Sequence, residues 1–436
     1  MQITVVGLGY VGLVTATCLA RMGQQVTGLE ADQEKLRALA AGQAPYYEPH
    51  LQGELTLQQL EGRLTFTSDP GQALKHADVI LICVGTPSRP TGDADLSAVE
   101  AVVTSIAQHL ETRAVIALRS TVPIGTTRNV EAELNRQLEA RGGPRGIAIV
   151  ANPEFLRTGR ALDDFMHPSR VILGITGRAD AEETERLATL YRPLETAIHV
   201  IDAESAELVK NAANAYLATR ISFVNEIASV CEATGASVDA VIQGIAADPR
   251  IGGDYLRPGI GYGGSCLPKD VRSLIAMGTQ HGLPMTFARA VDAVNAEQPV
   301  RAVERLKHAV GEISGKRIGL LGLAFKAGTD DVRDSPSITL AEMLHREGAQ
   351  VIACDPQAGR ATAAIAPWIE ILDDPMAVAA GADALVLSTD WAEYVTVDLE
   401  SLRAAMAGDV LFDARNAMDP VRVEAAGLRY LAVGRP

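Results

Sequence analysis

A short β-branched run, Ile3–Gly7 (ITVVG), leads into Gly7-Leu8-Gly9-Tyr10-Val11-Gly12, and the helix-forming stretch Val11–Met22 follows until Gly23. A strand that turns this sharply into a helix needs glycine for the tight bend, for close approach of a ligand to the backbone, and for helix–strand packing. The N–H groups left free at the helix start, with the positive end of the helix dipole, favour an anion there. The hexapeptide alone is a weak signal, but its context is specific. A second strand, Gln25–Glu30, ends on a carboxylate eighteen residues beyond Gly12. Such a carboxylate accepts from both ribose hydroxyls and repels a 2′-phosphate. The pattern predicts an NAD site built on Gly7, Gly9, Tyr10, Val11, Gly12 and Glu30. Lys35 is either close to the adenosine ribose or a solvated helix residue.

The strand-and-helix grammar continues through Asp78–Val84, Val115–Leu118 and Ile147–Val150. Continuous apolar strands separated by helices predict a parallel sheet covered on both faces. From Asp202 to Gly235 the character changes. Val209, Ala213, Tyr216, Leu217, Phe223, Val224, Ile227 and Val230 recur at helical spacing without Gly or Pro, which predicts one long helix with an apolar surface suited to dimerisation. The C-terminal third then repeats the opening: Arg317–Leu321, Val351–Asp355, Gly381–Thr389 and Asp409–Asp413 echo the earlier strands. The expected fold is α/β, with two doubly wound Rossmann-like domains joined by a long central helix. The divisions fall at 1–200, 201–300 and 315–436. The first turn of the last domain, GLAFKAGTD, lacks the G-x-G-x-x-G spacing and should bind something other than a dinucleotide pyrophosphate.

With 54 acidic against 39 basic residues the net charge is −15, a field that repels nucleic acid and anionic membranes. The five cysteines form no C-x-x-C or Cys/His cluster, so neither a disulfide framework nor a metal site is expected, and a reducing cytoplasm fits. Cys18, Cys83, Cys231 and Cys354 lie among aliphatic residues and read as core. The uncharged first twenty residues have no basic leader and break at three glycines, unlike a signal peptide or a membrane span.

The segment Gly261-Tyr262-Gly263-Gly264-Ser265-Cys266-Leu267-Pro268-Lys269-Asp270 carries the most chemistry. Its glycines allow close backbone approach, and Pro268 suits a first helical turn. Cys266 would then stand at a helix N-terminus beside Lys269, both of which favour a thiolate. Cys266, Lys269 and Asp270 share one helix face.

Together with ICVGTP (Ile82–Pro87), RSTVPIGTT (Arg119–Thr127), NPEFL (Asn152–Leu156), LVKNAANAYLA (Leu208–Ala218), DPRIG (Asp248–Gly252) and GLAFKAGTDDVRDSP (Gly322–Pro336), these motifs resemble the UDP-glucose/GDP-mannose dehydrogenase family over nearly the whole chain. The resemblance implies a four-electron oxidation of UDP-glucose to UDP-glucuronate with NAD. Cys266 would form a thiohemiacetal and then a thioester. Lys210 and Asn214 would stabilise the developing oxyanion, and Asp270 would act on a proton or an ordered water. Glu154, with Thr121 positioning water, would serve thioester hydrolysis.

By the same resemblance Thr86, Thr121, Glu154, Lys269 and Arg333 contact NAD. Glu154, Phe155, Leu156, Lys210, Asn214, Tyr255, Leu256, Arg257, Pro258, Gly259, Gly263 and Lys326 hold the nucleotide sugar. Arg250 reaches the sugar from a neighbouring subunit, which implies a homodimer or a dimer-based oligomer. One departure stands out: Thr158 occupies the place of a glutamate in EFLRTG (Glu154–Gly159). The alternatives are the same chemistry on GDP-mannose or a UDP-N-acetylhexosamine, a two-electron hydroxyacid dehydrogenase, and an NAD-sensing protein without chemistry.

Overall fold

The computed structural model describes residues 1–177 and 181–435. The chain divides into two compact units, 1–213 and 214–436. The first contains eight strands: β1 (Gln2–Val6), β2 (Gln25–Leu29), β3 (Leu64–Thr67), β4 (Val79–Ile82), β5 (Val115–Leu118), β6 (Ile149–Ala151), β7 (Val171–Ile175) and β8 (Ile198–Asp202). They lie in the order β3-β2-β1-β4-β5-β6-β7-β8. The first six of these positions give the doubly wound 3-2-1-4-5-6 order, whose ligand crevice lies where the order reverses, between β1 and β4. In β4, Val79 and Leu81 face one hydrophobic core and Ile80 and Ile82 the other, so the central strands are apolar on both faces. One pairing departs from the all-parallel expectation: β6 and β7 meet antiparallel through Ala151 and Gly174. Gly174 has no space for a side chain, because a Cβ there would lie 2.4 Å from that of Ala206.

The second unit repeats the topology with β9 (Arg317–Leu321), β10 (Gln350–Cys354), β11 (Glu370–Ile371), β12 (Ala384–Leu387), β13 (Val410–Asp413) and β14 (Arg429–Ala432). Their order is β11-β10-β9-β12-β13-β14, all parallel. Two sheets with one strand order agree with the repeated grammar of the sequence.

The long helix runs Ala203–Thr234, 32 residues, or about 48 Å at 1.5 Å per residue. Asp202 accepts from the Ser205 N–H at its start, and Gly235 follows its end at φ +76°. The helix is less apolar inside than its sequence suggests. Glu207, Lys210, Asn211, Asn214, Ser222 and Asn225 are all buried, and these polar groups carry its most specific contacts. Among the described residues no helix is long and apolar enough to cross a membrane.

Candidate active site

In the first unit, β1 ends in a turn that glycine alone can make. Gly7 sits at φ +86°, and a Cβ on Gly12 would lie 1.9 Å from the Gly7 carbonyl oxygen. Gly9, the N-cap of the helix Tyr10–Arg21, is different: a Cβ there would meet nothing within 4 Å. The turn therefore leaves open space over the helix N-terminus, where a pyrophosphate would receive the free N–H groups. Glu30, just past β2, is 8% exposed and accepts from the Leu8 N–H at 2.9 Å and the Asp32 N–H at 3.0 Å. Its carboxylate is thus fixed beside the turn. Open space at Gly9 and a fixed carboxylate at Glu30 fit an NAD molecule. Lys35 is half-buried, its ammonium 5.8 Å from the Tyr46 ring centre.

A second group in the same unit is ionic. Lys210 places its Nζ 3.1 Å from Glu154 Oε1, with both side chains 4% exposed. Burial alone would push the Glu154 carboxyl up. The Lys210 ammonium, the Leu156 N–H at 2.6 Å and the Arg119 guanidinium outweigh it and hold the carboxyl below its ordinary range. Two cations approach the Phe155 ring, the Arg170 guanidinium at 3.8 Å and Lys210 Nζ at 5.5 Å from its centre. Thr86 donates its hydroxyl to the Thr121 carbonyl at 2.6 Å, joining two predicted NAD contacts. Tyr10 donates to Glu48, whose carboxylate also accepts from the Gly159 N–H at 2.6 Å and the Ala161 N–H at 2.7 Å. The turn after β1 is thereby tied to the segment bearing Glu154, Phe155 and Leu156.

In the second unit Cys266 is the N-cap of the helix Leu267–Gln280, as the sequence predicts, with Pro268 in the first turn and Ser265 Oγ 3.6 Å from its sulfur. The other four cysteines are buried, and Cys266 is partly exposed. Burial pushes the thiols of Cys18, Cys83 and Cys354 up to about 12. Asp270, 1% exposed, accepts from Asn214 Nδ2 at 2.5 Å and from Lys269 Nζ at 2.6 Å. Lys269 therefore directs its charge at Asp270. Gly263 and Gly264 pack against the loop after β9. A Cβ on Gly263 would lie 2.2 Å from the Asp334 carbonyl oxygen, and the Gly264 N–H donates to the Arg333 carbonyl at 2.9 Å.

The remaining predicted residues divide. Lys326 stands with its Nζ 5.6 Å from the Phe325 ring centre, and Phe325 abuts Gly264, so Lys326 and Arg333 join the Cys266 neighbourhood. The Arg333 guanidinium is engaged by Asp331 at 2.7 and 2.8 Å. Leu256, Pro258 and Gly259 are buried, and Tyr255 takes φ +61°. Arg257 faces Asp390 at 3.4 Å. The Arg250 side chain is 87% exposed at the surface and pairs with Asp248. The sequence reading did not nominate Glu207, Glu48 or Asn225. Each makes its contact with chain far away in sequence: Asn225 Oδ1 accepts from the Gly259 N–H at 2.8 Å.

Comparisons with known proteins cover the whole chain. Residues 1–195 match the NAD binding domain of the UDP-glucose/GDP-mannose dehydrogenase family, 204–297 its central domain and 319–420 its UDP binding domain. A UDP-glucose 6-dehydrogenase of Pseudomonas aeruginosa is 42% identical, with 100% of this chain and 98% of that protein covered. The structure of a UDP-glucose dehydrogenase from Pyrobaculum islandicum superposes with a TM-score of 0.91 at 34% identity, covering 100% of this chain and 98% of the other. A UDP-D-ManNAc dehydrogenase from Pyrococcus horikoshii gives 0.86 at 29% identity, covering 100% and 99%.

Proposed function

Because the chain belongs to the UDP-glucose/GDP-mannose dehydrogenase family, we propose that it oxidises C6 of UDP-glucose from alcohol to carboxylate, giving UDP-glucuronate. The observation that carries this reading is Cys266, the partly exposed thiol at a helix N-cap among four buried ones. A two-electron dehydrogenase has no use for such a group; a four-electron one needs a nucleophile to hold the aldehyde.

NAD+ supplies the hydride acceptor, once for the alcohol and once for the carbon held on sulfur. The Cys266 thiolate attacks the aldehyde carbon, forming the C–S bond while the carbonyl oxygen takes up negative charge. Lys210 and Asn214, four residues apart on one helix, stabilise that oxygen. Asp270, held by Asn214 and Lys269, receives or returns a proton through ordered water. After the second oxidation the carbon is a thioester. Glu154, ionised beside Lys210, takes a proton from water positioned by Thr121. The new C–O bond forms as the C–S bond breaks, and sulfur leaves as thiolate.

Thr86, Lys269 and Arg333 are proposed to join the glycine turn in holding NAD. Phe155, Leu156, Tyr255–Gly259, Gly263 and Lys326 are proposed to hold the sugar nucleotide. We place the domains at 1–200, 201–300 and 315–436, and the enzyme in the cytoplasm as a homodimer or a dimer-based oligomer. Tyr216, Phe223 and Val230, seven residues apart on the long helix, are 61%, 49% and 55% exposed, an apolar stripe that a second copy would cover. Arg250 would act on the partner's sugar.

A panel of sugar nucleotides followed by NADH formation tests the substrate. UDP-glucose should give the highest kcat/KM. A higher value for GDP-mannose or a UDP-N-acetylhexosamine would overturn that assignment while leaving the chemistry intact.

A further inference from the structure

Glu207 lies one helical turn before Lys210 and is 4% exposed. Its carboxylate reaches a segment eighty residues earlier in the chain. Oε2 accepts from the Gly125 N–H at 2.6 Å, and Oε1 accepts from the Thr127 N–H and the Thr127 hydroxyl, each at 2.6 Å. These donors open the helix Thr126–Ala140, whose own N-cap, Gly125, offers no side chain. A local Ser or Asp would cap such a helix without burying a carboxylate. The cap is instead delivered from the long helix, so the two segments are locked together.

The locked segment is the one that carries Thr121. Its other end is tied by Ser120, which donates to the Val84 carbonyl at 2.7 Å, and by the bond from Thr86 to the Thr121 carbonyl at 2.6 Å. Lys210, three residues after Glu207, holds Glu154. A single helical turn therefore fixes both groups assigned to thioester hydrolysis, one through the Glu207 carboxylate and one through the Lys210 ammonium.

We propose that Glu207 is a positioning residue for hydrolysis of the Cys266 thioester. It touches neither substrate nor cofactor and acts by holding Thr121 in register with Glu154. This rests on the reading of Cys266 and Glu154 given above. In the step concerned, water adds to the thioester carbon, its proton passes to the Glu154 carboxylate, the C–S bond breaks and sulfur departs as thiolate. Loosening the Thr121 segment slows this step and spares the two oxidations that precede it.

Glu207→Gln is the informative variant, because its amide nitrogen would face a backbone N–H where the carboxylate now accepts. Steady-state turnover on UDP-glucose and NAD+ should fall by about tenfold or more, the scale of a small misplacement of a reacting group. A rapid burst of NADH should persist, and mass spectrometry of acid-quenched enzyme should show more covalent sugar adduct on Cys266 than in the wild type. Thr127→Val, which removes one of the three bonds, should shift both readouts the same way by less, and carries the test if Glu207→Gln does not fold. An equal fall in burst and steady state without gain of adduct would overturn the proposal, as would unchanged turnover. Absence of any adduct in wild type and both variants would instead overturn the role given to Cys266, and this proposal with it.

Discussion

The ammonium of Lys210 stands 3.1 Å from the carboxylate of Glu154, and both side chains are almost wholly shielded from water. Two opposite charges removed from solvent are costly singly and tolerable only together. This pair therefore makes Glu154 ionised at neutral pH and gives the long helix a fixed attachment to the segment after β6.

A pH-dependent contribution to stability follows. The folded Glu154 carboxyl lies below its ordinary value, whereas an unfolded one titrates near roughly 4.3. The contribution is thus complete above the unfolded value and is lost as pH falls through the folded one. Glu154→Gln removes the buried ion pair with Lys210 and should cost about 3 kcal/mol of unfolding free energy at neutral pH, measured by urea titration. The gap from wild type should narrow as acid protonates Glu154; a gap independent of pH would contradict this.

The glycine turn separates space needed by the fold from space left for a ligand. Gly12→Ala drives a Cβ into the Gly7 carbonyl and should yield little folded protein. Gly9→Ala meets open space and should melt within about 2 °C of wild type. Its KM for NAD+ should nevertheless rise by about tenfold, equivalent to roughly 1.4 kcal/mol. Equal melting losses in the two variants would count against the assignment.

Alkylation distinguishes the cysteines. Thiolates react and thiols do not, and Cys18, Cys83 and Cys354 are both buried and pushed up to about 12. Limiting iodoacetamide near neutral pH should modify Cys266 first, read by peptide mass spectrometry, with the rest labelled only after unfolding. Simultaneous labelling of Cys83 would contradict the picture.

The exposed stripe on the long helix predicts its own disruption. Phe223→Glu places a charge in the middle of an apolar surface and should convert a dimer to monomer in sedimentation equilibrium. An unchanged mass would remove this helix as the interface.

Where the sequence was decisive, local patterning carried the information. Val115–Leu118 and Arg317–Leu321 are strands to the residue, because short apolar runs between polar neighbours have one use in a parallel sheet. β8 gave no such signal: as an edge strand it leaves His199 and Val200 exposed, and no alternation marks it. The helix Thr286–Val310 was equally hidden, since it contains Pro299, which local reasoning treats as a break.

The site divides along the same line. Cys266, Pro268 and the glycines before them were legible because a helix N-terminus is written in adjacent residues. Glu207 and Glu48 were not, since a glutamate on a helix or in a loop reads as solvated until its partners are known. Those partners, Gly125 and Thr127 for one and Gly159 and Ala161 for the other, lie 80 or more residues away in the chain. Lys269 shows the limit within a motif: its position beside Cys266 and Asp270 was readable, but the burial of the Asp270 carboxylate it meets was not.

The most direct test of the account is the yield of NADH per UDP-glucose consumed by wild type and by Cys266→Ser. Wild type should form two NADH per sugar, and the serine variant, lacking the thiolate, should turn over at a small fraction of that rate. One NADH per sugar in wild type, or a serine variant that still completes both oxidations at the wild-type rate, would contradict covalent catalysis by Cys266.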